Sequence, residues 1–282
     1  MNYVYLYLLA PLHTGGTTQE GNLLGIARES HTNLPYVPSS TIRGKLRSTV
    51  GNDPAEKRIK RVQLFGPELK DTQDGDFLIM YEAETDKRLT QLEQGNIWIG
   101  DGSILWMPVP SLSHGVIWIS CPLLLQRWAK FNGNPEIPTE YSTNLVTKAP
   151  VYLKDAILPA NSLQKWDNSH NFIPHSPEAS AITRVLVLPD RHCATLIQMS
   201  LWRQVKIKLD EHKSVDGGFR YEEAIPPDTL MYFPWGITSQ ANGKGEQSFA
   251  DFKALLSENS ILQIGGQESL GRGFVQQWLG NN

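Results

Sequence analysis

Arg43, Lys45 and Arg47 stand two residues apart, directly after Pro38-Ser39-Ser40. Ile42, Leu46 and Val50 recur among them at the spacing of one apolar helix stripe, with cations on both sides of it. Ser39 or Ser40 is placed to accept from the first free N–H groups of that helix. A helix start favours anions, and cations beside it make a surface that can grip phosphate. A solvated basic face is the other reading of the same charges. Upstream, His13 precedes Gly15 and Gly16, where the backbone can turn or approach a ligand closely, and Glu20 follows. A carboxylate or imidazole there could move a proton, and a carboxylate could hold a divalent ion, although His13 has no visible partner in sequence. A third set, Arg203, Lys206 and Lys208, lies in a run that alternates polar and apolar from Arg203 to Leu209. The fourth is Gly265-Gly266 with Arg272; it lacks the dinucleotide and P-loop spacings but can form a phosphate nest or a plain tight hairpin.

The elements that position these groups are legible from pattern. Tyr3–Leu9 reads as a buried strand stopped by Pro11. Asp53-Pro54-Ala55-Glu56 reads as a capped helix start, running to Leu64-Phe65 before Gly66-Pro67. Its Lys57, Arg58, Lys60 and Arg61 face either phosphate or solvent. Residues 70–96 read as loop with one ordered piece near Phe77–Met80, and 132–180 as an irregular insertion with short strands at Val151–Leu153 and Ala156–Leu158. Paired strands are expected over 97–112 and 115–121, a helix over 123–131, and a strand over 182–188. The alternating run turns at Asp216-Gly217-Gly218, and a capped helix over 248–257 precedes a strand, the glycine loop and a last strand. Trp98 and Trp118 are assigned to the core and His31 to a structural role.

The 282 residues, 40% hydrophobic and 20% charged, describe a globular chain with room for a substantial core. No apolar run is long enough for a bilayer, no signal peptide precedes Asn2, and Cys121 and Cys193 form neither a disulfide framework nor a metal motif, so a cytoplasmic protein is expected. Net charge is −3, yet residues 28–61 hold eight Lys and Arg against three acids, +5 locally. A nucleic-acid partner would be gripped at one place and not by a global field.

The strand, Pro11-Leu12-His13-Thr14-Gly15-Gly16, Gly25-Ile26-Ala27-Arg28-Glu29 and Pro35 through Arg47 together resemble the N-terminal signature of the RAMP superfamily of CRISPR-associated proteins. Within it they are similar to the repeating backbone subunit of the type III-B (Cmr) effector complex, of the Cas-seven group. The stretch Gly218 to Phe233 and the glycine loop resemble later parts of the family, so the likeness runs from residue 3 to 278 with gaps in 67–95 and 132–180. It implies an α+β fold with a ferredoxin-like, RNA-recognition-motif-type core in a single domain, 1–282. The core comprises 1–66, 95–131, 181–200 and 226–282; 67–94 and 132–180 are insertions, and 201–225 is a projecting thumb-like β-hairpin. The partners implied are crRNA, complementary single-stranded target RNA, further copies of the chain and other type III effector subunits. His13, Gly15, Gly16, Arg28, Ser39, Ser40, Arg43, Lys45, Arg47, Arg203, Lys206, Lys208, Gly265, Gly266 and Arg272 are the implied RNA-binding set. Family members cut target RNA with an aspartate before the Arg-Glu pair. Aligning Arg28-Glu29 puts Leu23 at that position, with only Glu20 and His13 as weak substitutes. The expectation is a subunit that binds without cutting and has no cofactor, a divalent ion being needed only if it cleaves.

Overall fold

The computed structural model describes residues 2–20, 23–241 and 243–280, and of residues 16–20 the backbone only. The Glu20 side chain and Asn22 therefore lie outside the described residues.

The N-terminal strand, Asn2–Leu8, is apolar on both sides and sits deep in a large mixed sheet. Leu230–Ile237 and Phe274–Leu279 flank it, and Gly102–Ser111 pairs beyond Leu230–Ile237, every neighbour in this group antiparallel. Val4, Leu6 and Leu8 pack on the face covered by the helices Ser39–Val50 and Gly245–Glu258, through Ile42, Leu46, Val50, Phe252, Leu255 and Leu256. Tyr3, Tyr5 and Tyr7 pack on the other face under Trp106, Trp128 and Phe172. Their hydroxyls meet polar partners: Tyr3 donates to Asn132 Oδ1 (3.0 Å), Tyr7 donates to Asp228 (2.9 Å), and Tyr5 accepts from Trp128 Nε1 (3.0 Å). Tyrosine thus supplies buried apolar area while satisfying its polar tip. That face is closed by the helix Pro122–Ala129 and by the 132–180 insertion. The insertion carries the expected short strands at Val151–Leu153 and Ala156–Leu158, and these pair with each other.

Several expectations are corrected. Residues 70–96 are not mainly loop, since helices Leu69–Gln73 and Gly75–Thr85 form there. Phe77, Tyr81 and Thr85 recur at helical spacing and are buried, and Asp74 accepts from the Phe77 N–H as a cap. Neither Ser39 nor Ser40 caps the first helix; Pro38 is the capping position, and the carboxylate of Asp101 takes the Ser39 N–H at 2.6 Å. The second helix starts at Ala55 with no side-chain cap from Asp53, and the helix Gly245–Glu258 begins earlier than its serine suggested. Trp98 is half-buried and lies on Gly236, whereas Trp118 is in the core.

A separate four-stranded sheet runs in the order Trp202–Leu209, Val215–Ala224, Leu23–Ile26, Gly15–Glu20. The first two strands form an antiparallel ribbon whose outer part is exposed. Its turn is at residues 210–214, where Asp210 accepts from the His212 and Ser214 N–H groups. Gly217 and Gly218 instead lie within the strand at positive φ, opposite a break in register. The ribbon pairs in parallel with the segment that carries Leu23 (Tyr221 against Leu23).

Candidate nucleic-acid interface

The beginning of the chain, its end and the root of the ribbon meet around His13. His13 is buried, and its Nδ1 lies 2.8 Å from the Glu223 carbonyl. A carbonyl only accepts, so Nδ1 carries the proton and Nε2 is left as an acceptor in the neutral ring. The His13 carbonyl accepts from the Gly266 N–H (2.9 Å), and the Gly273 N–H donates to the Pro11 carbonyl (3.0 Å). Gly265 has φ +77°, and a Cβ there would come within 2.4 Å of the His13 oxygen. Glycine is required for both reasons.

Glu223 joins this knot to a cleft of about 880 Å³. The cleft is walled by Leu23, Gly25 to Ser30, Tyr36, Ser40, Gln198, Arg203 and Glu223, among others. The Glu223 side chain is 1% exposed, and two guanidiniums share it. Arg28 Nη2 reaches Oε2 at 2.6 Å, and Arg203 reaches Oε1 at 2.9 Å through both Nε and Nη2. Arg28 also donates to Gln198. Its neighbour Glu29 is gripped from the opposite side by Arg127 at 2.7 and 3.1 Å. Burial pushes the Glu29 carboxyl up, but Arg127 and Thr32 more than offset this and hold it below the usual carboxylate range. The Arg-Glu pair is therefore a clasp between the ribbon root and the helix Pro122–Ala129.

The opposite face of the root repeats the pattern. Glu222, also 1% exposed, has Lys206 Nζ at 2.6 Å and Arg220 Nη2 at 3.1 Å, though neither meets it along a hydrogen-bonding direction. Burial raises its carboxyl and these cations, Lys206 foremost, lower it below the usual range. The Arg272 guanidinium sits over the Trp202 ring, its carbon 3.8 Å from the ring centre, and donates to Gln204 at 2.7 Å. Lys208 pairs with Asp216 farther out on the ribbon.

The helix pair is wired differently. Arg43 donates to the Phe65 carbonyl and Arg47 to that of Gly66 (3.1 Å), so both serve the carbonyl end of the second helix. Arg58 and Arg61 converge on Asp71, which is buried completely. Lys45 makes no ion pair among the described residues and does not line the cleft.

Of the residues singled out in sequence, Gly15, Leu23, Arg28, Ser40 and Arg203 line the cleft, and His13, Gly265 and Gly266 stand behind Glu223. Ser39, Arg43, Lys45 and Arg47 are on the helix pair, Lys206 and Arg272 on the far face of the root, and Lys208 toward its tip. Gly16 lies in the strand Gly15–Glu20. Sequence reasoning missed Glu222, Glu223, Gln198 and Trp202 as parts of this arrangement. The signal for the first two was adjacent acids in the strand that pairs with Arg203 and Lys206. Among the described residues, no group of three or more His, Cys, Asp or Glu is placed to hold a metal ion, and no helix is long and apolar enough to cross a membrane.

Known proteins place this geometry in context. The sequence pattern of the RAMP superfamily matches residues 5–276. A curated relative, the CRISPR system Cmr endoribonuclease Cmr4 of Pyrococcus furiosus, is 28% identical over 299 residues, covering 98% of this chain and 94% of that protein. The crystal structure of oligomeric Cmr4 from Pyrococcus furiosus superposes with a TM-score of 0.69 at 25% identity, covering 99% of this chain and 98% of that one. A chain of the type III-B Cmr-beta complex bound to cognate target RNA, seen by cryo-electron microscopy, gives a TM-score of 0.74 at 17% identity, covering 99% and 96%, a likeness of fold.

Proposed function

Because the chain belongs to the RAMP superfamily, we propose that it is a crRNA-binding backbone subunit of a type III-B CRISPR effector complex, stacking in several copies along the guide in the cytoplasm, beside other effector subunits. The observation that carries this reading is the paired arginines Arg28 and Arg203 on one buried carboxylate at the rim of the cleft. The order Gly102–Ser111, Leu230–Ile237, Asn2–Leu8, Phe274–Leu279, with helices between the first and second and between the third and fourth of these strands in sequence, supports reading them as a ferredoxin-like core. On it the ribbon serves as the thumb that engages the duplex of guide and complementary target RNA. Phosphate contacts hold the strand in register and base pairing supplies specificity.

In this reading the subunit holds target RNA without cutting it. Leu23 stands in the cleft wall where the family's aspartate is expected, and an aliphatic side chain can neither ligate a metal ion nor accept a proton. Incubating the guide-loaded assembly with complementary RNA and a divalent metal tests this: the RNA stays bound and intact, and Leu23→Asp gains cleavage at regular intervals. A second reading, an active endoribonuclease, is favoured by the activity in the name of the 28% identical relative. Regularly spaced products from the unaltered chain, lost in Glu20→Ala, would establish it in place of the first. Native protein that carries no RNA and fails to retard single-stranded RNA at low salt would leave only a protein scaffold.

A further inference from the structure

We propose that Glu223 is a positioning residue for RNA: it aims Arg28 and Arg203 at one backbone phosphate in the cleft. The inference rests on the RNA-binding reading above and deepens it. Glu223 sits at the root of the ribbon, opposite Arg203 in the ladder, with its carbonyl on His13 Nδ1. Its main chain is thereby fixed to the body, and its carboxylate reaches the cleft from a fixed point. Three N–H groups approach that carboxylate, one from Arg28 and two from Arg203. A carboxylate offers about four acceptor positions and each guanidinium five donors, so most donors remain for another partner. Two cations share one anion, and the single positive charge left over suits one phosphodiester. Arg203 is 55% exposed in its side chain while Glu223 is 1% exposed, so the arginine, and not the acid, faces an arriving strand.

Positioning and charge predict opposite signs. As a bystander charge beside a phosphate site, Glu223 repels RNA, and neutralising it should tighten binding. As an orienting group it holds Arg203 in one rotamer. Freeing that side chain restores rotamer entropy that binding must then remove.

The experiment uses the full chain and a fluorescein-labelled single-stranded RNA oligonucleotide, with affinity measured against salt and thermal unfolding recorded for each variant. Glu223→Gln should bind roughly tenfold more weakly. Its log–log salt slope should flatten by about 0.7 for each phosphate the variant no longer neutralises. Adding Glu223→Gln to Arg203→Ala should cost less than Glu223→Gln does alone, since only Arg28 is left for Glu223 to orient. Arg203→Lys covers the case in which Glu223→Gln does not fold. It keeps the charge but not the fork on Glu223, so weaker binding supports positioning and unchanged binding overturns it. Equal or tighter binding by a folded Glu223→Gln, or an additive double variant, also overturns it. If the unaltered chain binds no RNA, the functional reading and this inference fall together. If it binds and these variants bind equally well, only the role of Glu223 falls.

Discussion

At the junction of the first two helices, Arg43, Arg47, Arg58 and Arg61 all point inward, to two carbonyls at a helix end and to the buried Asp71. At the ribbon root, Arg28 and Arg203 share Glu223 on one face, while Lys206 and Arg220 share Glu222 on the other. The helix pair is the denser basic segment in sequence, yet its arginines are bound to the fold. At the root each acid is outnumbered by its cations, and Arg203 and Arg220 remain more than half exposed. Two arginines share Asp71 as two cations share each acid at the root, so what separates a structural arginine from one open to a ligand is the exposure of the cation. Local charge density does not.

The sharpest break between the two regions is expected at Arg61→Ala. It removes the Nη2 donor that meets both oxygens of the fully buried Asp71 and leaves Arg58 as the one remaining arginine on that carboxylate. Removing one partner of a buried pair costs about 3–5 kcal/mol. Chemical denaturation should show a loss of that size, while the folded fraction keeps its affinity for single-stranded RNA. A loss of affinity with no loss of stability would show that the helix-pair arginines are a binding surface after all. Next in size is Gly265→Ala, which forces a Cβ against the His13 carbonyl at a positive φ. Strain of this kind costs about 1–3 kcal/mol. Because this close approach supports His13 and through it Glu223, both stability and RNA affinity should fall, a joint effect that Arg61→Ala should not give.

The contrast between the regions also explains how much of the molecule is readable from its sequence. Tyr3–Leu9 and the alternation from Arg203 to Leu209 depend on local pattern, and both appear as strands. Asp216-Gly217-Gly218 is a stronger local turn signal than the five polar residues that turn the ribbon, and strand pairing settles the competition. The helix Gly75–Thr85 buries Phe77 and Tyr81 against the helix Ala55–Phe65 while Ile79 and Met80 stay exposed, so its apolar residues mark no single helical face in the sequence. Its cap, Asp74 three residues before Phe77, is the sign that sequence does carry. The first helix takes its anion from Asp101, 62 residues from Ser39, and Arg28 finds Glu223 across 195 residues. Such partners are decided by topology, and no window of sequence contains them.

Acid should separate the regions again, by a smaller amount. Burial raises the Asp71 carboxyl, but Arg61, the Glu68 N–H and Arg58 hold it below its ordinary value. A carboxyl whose folded pKa is depressed adds stability in full above its unfolded value, about pH 4. That contribution is lost as pH falls through the folded value. The unfolding midpoint in denaturant should therefore decline on acidification below about pH 4. The decline should be shallower in Asp71→Asn, whatever the absolute stability of that variant. An identical slope in both would mean that Asp71 is not held in its ionised form by the arginines.

The smallest effect on the fold is expected at Lys45, whose ammonium makes no ion pair among the described residues. Its neighbours Arg43 and Arg47 are tied to carbonyls. Lys45→Ala should leave the melting temperature nearly unchanged, because substitutions at such sites stay within about 0.5 kcal/mol. If the first helix lies along the guide, the same change should flatten the log–log salt slope of RNA binding by about 0.7. This is the reverse of Arg61→Ala, which should move stability and not the slope. Wild-type affinity and slope in Lys45→Ala would confine the RNA track to the ribbon root and the cleft, and would remove the first helix from the binding surface.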